Sequence, residues 1–233
     1  MQLQGKLLEN KQQIESNILY TFKTTQTFAF REEIDNKETK VVDEVRCTIN
    51  LDEGQKAVFG KEYRGELKQY KQSRADIMCV LFDESNGRTA SYIYEIKHKI
   101  RGNDQVWHTL DQLCGSITQR EIIINDEGYN KYEEKEYVGV ITSEIDKDVI
   151  CSRINKYRTE EKILQSKKGI INSTALKMKQ KEMPKEEKRI QVLERFLEGQ
   201  LKYDNNKIYE LDVIYLTQKK IDLFDAELNM EVG

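Results

Sequence analysis

Proline is almost missing from this chain: Pro184 is the single example in 233 residues. That scarcity excludes a proline-rich linker and points to a chain built mostly of regular elements. Cysteine is sparse and scattered. Cys47, Cys79, Cys114 and Cys151 form no C-x-x-C pair, which excludes a zinc ribbon and fits a reducing compartment better than a disulfide scaffold. Cys79 sits inside an apolar run and reads as a small buried hydrophobe. Histidine is limited to His98 and His108, too few for a histidine-based zinc hydrolase. No stretch reaches the ~18 apolar residues of a membrane span, and residues 1–6 (MQLQGK) lack the apolar centre of a signal peptide. The expectation is a cytoplasmic protein without a membrane partner. Neither glycine fingerprint for nucleotide phosphates occurs, so a motor or dehydrogenase is not indicated. Basic charge is not in excess either. A net charge of −3 argues against a passive nucleic-acid coat, but not against a protein that meets phosphate through bound metal ions and local basic segments.

What is present is enough for one α/β domain spanning 1–233. Hydrophobic residues make up 38%, above the disordered range, and they cluster in runs of strand or helix length. Residues 2–16 carry Leu3, Leu7, Leu8 and Ile14 at helical spacing, so a helix is expected. Residues 18–30 are aromatic and β-branched, and 39–51 alternate. With a turn at Asp35-Asn36-Lys37 they form an antiparallel hairpin. Residues 75–83 (ADIMCVLFD) read as a strand buried on both faces. Ser85-Asn86-Gly87 marks a turn, and 89–97 (TASYIYEIK) alternate. Asp104 is placed to cap a helix over about 105–118, with Val106, Leu110, Leu113 and Ile117 on its inner face. Residues 137–142 make another core strand. Two charged helices, over 159–181 and 185–201, are separated by Pro184, and 207–217 form a late strand. The Lys/Glu-rich stretch 156–202 reads as a solvated helical elaboration.

The chemistry concentrates in the centre. On the 89–97 strand, Tyr92, Tyr94 and Ile96 face one way, while Ile93, Glu95 and Lys97 face the other. Burying Glu95 or Lys97 is costly unless the charge is paired or meets a metal. A two-residue turn at Asn86-Gly87 would place Asp76 opposite Lys97 and within two residues of Glu95. Two carboxylates can hold a hard divalent cation, with the Ile96 backbone carbonyl as a third oxygen. Such a metal polarises a phosphate and activates water, and a nearby lysine assists the attack.

Asp76, then Glu95-Ile96-Lys97 after a hairpin, then a helix, resembles the PD-(D/E)XK nuclease superfamily over about residues 60–145. The resemblance implies a restriction-endonuclease-like αβββαβ core, over about 40–145, with a mixed central sheet flanked by helices. It implies metal ligation by Asp76 and Glu95, catalysis by Lys97, and a supporting polar residue on the following helix, for which Gln112 is the match. It also implies an upstream acid, with Glu44, Glu62 and Glu66 as alternatives. The motif's proline is replaced by Ala75. The implied activity is Mg²⁺- or Mn²⁺-dependent endonucleolytic cleavage of DNA. The implied setting is a prokaryotic defence or restriction system, with a separate ATPase or helicase subunit and a homodimer as expected partners.

Other residues carry alternatives. His98, Lys99 and Arg101 beside Lys97 form the densest basic patch, either a grip on flanking phosphates or an ordinary polar loop. His108 and Gln112 stand one helical turn apart, and Trp107 reads as core. Glu95 and Lys97 also suit an ion-pair row on an edge strand, with Asp76 capping a turn. A nuclease-like binding or assembly subunit, using 156–202 as its partner surface, and an RNase of the same fold are the competing functions.

Overall fold

A computed structural model describes residues 2–3, 12–13, 19–36, 39–60, 75–126, 128–166, 174–203, 207–220 and 222–233. In chain order the strands are β1 (Gln2–Leu3), β2 (Gln12–Gln13), β3 (Leu19–Phe22), β4 (Gln26–Asn36), β5 (Thr39–Ile49), β6 (Gln55–Gly60), β7 (Ile77–Asp83) and β8 (Arg88–Ile100). Helix α1 (Asn103–Asp126) and β9 (Glu133–Ile145) follow. Then come α2 (Lys147–Ser166), α3 (Thr174–Leu197), β10 (Gln200–Lys202), β11 (Ile208–Tyr215), β12 (Thr217–Lys220) and β13 (Leu223–Met230).

Two mixed sheets result. The larger has the order β10-β11-β9-β8-β7-β6-β3-β2, and the smaller β1-β4-β5-β13-β12. Within the larger, β6, β7 and β8 form an antiparallel meander. Helix α1 then crosses over and returns the chain to β9, parallel to β8, the connection that parallel neighbours require. The α/β class expected from the sequence holds.

The layering follows from alternation along the central strands. Met78, Val80 and Phe82 of β7 join a core with α1, α2 and α3, while Ile77, Cys79 and Leu81 join a second core facing the smaller sheet. All seven residues of β7 are buried, as its unbroken apolar run requires. Among the described residues, the larger sheet therefore has helices on one face and the smaller sheet on the other, rather than helices on both.

Several expectations are corrected. The described parts of the expected N-terminal helix, β1 and β2, are strands, and the rest of 2–16 lies outside the described residues. Residues 18–30 divide between β3 and β4. The expected hairpin is the β4–β5 pair, but it belongs to the smaller sheet, not to the sheet of Asp76. Pro184 lies inside α3 instead of between two helices. An interior proline costs about 3 kcal/mol in an isolated helix. Tyr157 donates to the Met183 carbonyl at 3.3 Å just before it, and Arg158 bonds to Glu187 and Glu194 after it, which holds α3 across the proline.

The β7–β8 turn differs as well. Strand pairing runs Ile77↔Tyr94 to Asp83↔Arg88, so the loop holds four residues, 84–87, not two. Asp83 builds it. Its carboxylate accepts Ser85 Oγ at 2.6 Å, the Asn86 amide at 3.1 Å and Asn86 Nδ2 at 2.8 Å. Gly87, at φ 64°, closes the turn where a side chain would be strained.

Candidate active site

Continuing the β7–β8 register by one residue sets Asp76 opposite Glu95, not Lys97. The Asp76 amide donates to Glu95 Oε2 at 3.2 Å, and the Ile96 amide donates to Asp76 Oδ2 at 2.9 Å. Lys97 Nζ is ion-paired with Glu95 Oε1. Asp76, Glu95 and Lys97 thus come together as expected. A strand residue sends its N–H and C=O to the same side. The Ile96 carbonyl therefore faces the side on which Asp76 takes its amide.

Glu95 is the unusual member. It is 0% exposed, on the helix-facing side of a central strand. Burial, then the neighbouring Asp76 charge, push its carboxyl up to about 8, while Lys97 pulls the other way. A wholly buried carboxylate beside a second one is costly for a sheet that only has to fold. Lys97, with a side chain 24% exposed, reaches from the same face towards solvent.

Helix α1 forms the wall over this corner. Its buried polar residues Thr109, Gln112, Ser116 and Arg120 recur at helical spacing along one face. Ser116 Oγ accepts the Ala75 amide at 2.9 Å, which brings this face to the residue before Asp76. Gln112 is buried one turn earlier. Arg120 closes the far end on Glu134, Glu136 and Tyr209. The helix starts at Asn103, so Asp104 lies in its first turn instead of capping it. Gln105 Oε1 reaches back to accept the Arg101 amide at 2.6 Å, just before the helix.

The chain matches no protein-family model, no curated protein and no solved structure.

The remaining candidates are dispersed. His98 lies on the opposite face of β8, between the sheets, with Nδ1 at 2.9 and 3.2 Å from the Asp43 carboxylate and its ring edge-on to Phe224. Lys99 and Arg101 both pair with Glu144, at 2.7 and 3.7 Å, and the two cations hold that carboxyl below its usual range. Glu44 sits beside Asp43 on β5 but on the alternate face, with Arg46 at 3.2 Å. It does not join Asp76 and Glu95. Glu62 and Glu66 lie outside the described residues. His108 is exposed, and Trp107 packs on the helix-side core beneath the Arg189 guanidinium, 4.6 Å away.

Among the described residues, no group of three or more His, Cys, Asp and Glu side chains converges as a metal cluster, and no helix is long and apolar enough to cross a membrane. Sequence reasoning missed Ser116 and Asp43. Both are paired across long chain separations, and neither occurs in a motif.

Proposed function

We propose that this chain is a divalent-metal-dependent phosphodiesterase that cuts DNA internally, built on a restriction-endonuclease-like core. The observation that carries the reading is the fully buried Glu95 held against Asp76. The β6-β7-β8-α1-β9 connectivity supports it as well, matching the βββαβ order of the PD-(D/E)XK resemblance.

The residues fit a hard cation. Asp76 and Glu95 with the Ile96 carbonyl are an all-oxygen donor set of the kind that Mg²⁺ and Mn²⁺ take, with water and phosphate completing the shell. When bound, the ion supplies Lewis-acid polarisation of the phosphate and a more acidic water. The protein's own contribution is positional. The Asp76 amide orients Glu95 and the Ile96 amide orients Asp76, and burial of Glu95 keeps competing water away. Lys97 offers an ammonium at the solvent side of the pair, where it orients the attacking water or meets charge growing on the phosphate oxygens. Gln112 supports the site from α1. An effector of a prokaryotic defence or restriction system, served by a separate ATPase or helicase, is the setting consistent with this chemistry.

Purified protein incubated with supercoiled circular DNA and Mg²⁺ or Mn²⁺ should give nicked and linear products. Glu95→Gln and Asp76→Asn should give none while keeping the wild-type circular dichroism. A parallel RNA substrate separates the RNase alternative. Failure to cleave either polymer, together with no Mn²⁺ uptake, would leave the binding or assembly role.

A further inference from the structure

Asp76 lies one residue before the β7 ladder, which opens at Ile77↔Tyr94. Regular cross-strand pairing therefore does not orient its carboxylate. Two bonds to β8 hold the residue from inside the pair: its amide donates to Glu95 Oε2, and its carboxylate accepts the Ile96 amide. A third comes from outside it. Ser116, 41 residues later in the chain and 0% exposed, accepts the Ala75 amide at 2.9 Å. Ala75 is itself 3% exposed, so water does not replace that acceptor, and an unmet buried donor drives the backbone to move. Leu113 and Ile117 anchor the same stretch of α1 in the helix-side core, which makes the hydroxyl a fixed point. In this chain the residue before the aspartate is alanine, with an amide to satisfy, and α1 satisfies it.

We propose that Ser116 is a positioning residue: by accepting the Ala75 amide, it sets the Asp76 carboxylate against Glu95 and the Ile96 amide. The consequence for metal binding rests on the reading of Asp76 and Glu95 as a metal site, whereas the positioning itself does not.

The test uses the full chain with Ser116→Ala and Ser116→Thr. The first readout is amide hydrogen exchange at Ile96, whose proton is held by Asp76, with Val80 and Leu81 as controls on the neighbouring strand. The second is Mn²⁺ titration. Ser116→Ala should speed Ile96 exchange about tenfold or more and leave Val80 and Leu81 unchanged. It should raise the Mn²⁺ midpoint by a similar factor and reduce kcat for DNA more than it changes KM. Ser116→Thr, which keeps the hydroxyl, should restore each of these. Unchanged Ile96 exchange in Ser116→Ala overturns the proposal, as does exchange that rises equally at all three amides. Faster Ile96 exchange in a protein whose wild type takes up no Mn²⁺ upholds the positioning role and removes the metal reading alone.

Discussion

Asp76 and Glu95 hold each other through the backbone: the Asp76 amide binds the Glu95 carboxylate, and the Asp76 carboxylate binds the amide after Glu95. Each acid thus occupies a site prepared by the other strand. Their charges are brought together by hydrogen bonds that do not neutralise them, and the remaining repulsion falls on the buried member.

Burial of Glu95, with the neighbouring Asp76 charge added to it, gives a pH signature. The folded-state carboxyl of Glu95 is pushed up to about 8 from an ordinary value near 4.5, so between those values the folded protein holds a proton that the unfolded chain has released. Metal-free stability should then fall as pH rises through this window, by up to about 1.4 kcal/mol per pH unit. Glu95→Gln should flatten the profile and be the more stable protein at pH 8. Denaturant melts in the presence of a chelator, from pH 5 to 8, measure both. Parallel profiles for the two proteins would contradict the burial-driven shift.

Lys97 is the favourable charge on Glu95, so its removal has two effects. Lys97→Ala should cut kcat by about 10²–10³-fold, the scale of one group that stabilises charge in the transition state. It should also move the rising limb of the pH–rate profile to higher pH, because Glu95 then gives up its proton less readily. A fall in rate without that displacement would mean that Lys97 acts on the substrate alone.

Asp83 should matter for stability and not for chemistry. Bonds from Ser85 and Asn86 hold its carboxyl well below the usual range, so its contribution is present above about pH 4 and is lost as pH falls further. Asp83→Ala should cost about 1–3 kcal/mol at neutral pH, read as a lowered denaturation midpoint, with the Mn²⁺ midpoint unchanged.

Gly139 permits a close approach of β9 to β11. A Cβ there would stand 2.3 Å from the Asp212 carbonyl oxygen and 2.8 Å from Tyr94 Cε1. Tyr94 lies over it and donates to Asp212 Oδ2 at 2.9 Å. Gly139→Ala should destabilise by about 1–3 kcal/mol or more and lower Tm, whereas Gly102→Ala, which meets nothing within 4 Å, should leave Tm close to wild type.

The central strands were legible because their patterns are local. An apolar run such as 77–83 has nowhere to go but a doubly covered strand, and alternation alone put Glu95 and Lys97 on one face. The register was not legible. Four hydrogen bonds to the Asp83 carboxylate, including one from Gln55 on β6, stabilise a four-residue loop, whereas Asn86-Gly87 alone suggests two. The slip is two residues, an even number, so every side chain kept its face and the three candidate residues still met. The second sheet was hidden for a different reason. It pairs β13 in parallel with β5 across most of the chain, and such long-range pairing leaves no trace in local periodicity.

By itself, then, the sequence determined the α/β class, the buried central strands, and the side of β8 on which Glu95 and Lys97 stand, all consequences of patterns within a dozen residues. Only the tertiary structure decided that Asp76 faces Glu95, that His98 is turned away to Asp43, and that Ser116 reaches Ala75. Those contacts join residues 19 to 55 positions apart. Which buried donor finds which acceptor at that separation depends on how the sheets and helix pack, not on the spacing of residues along the chain.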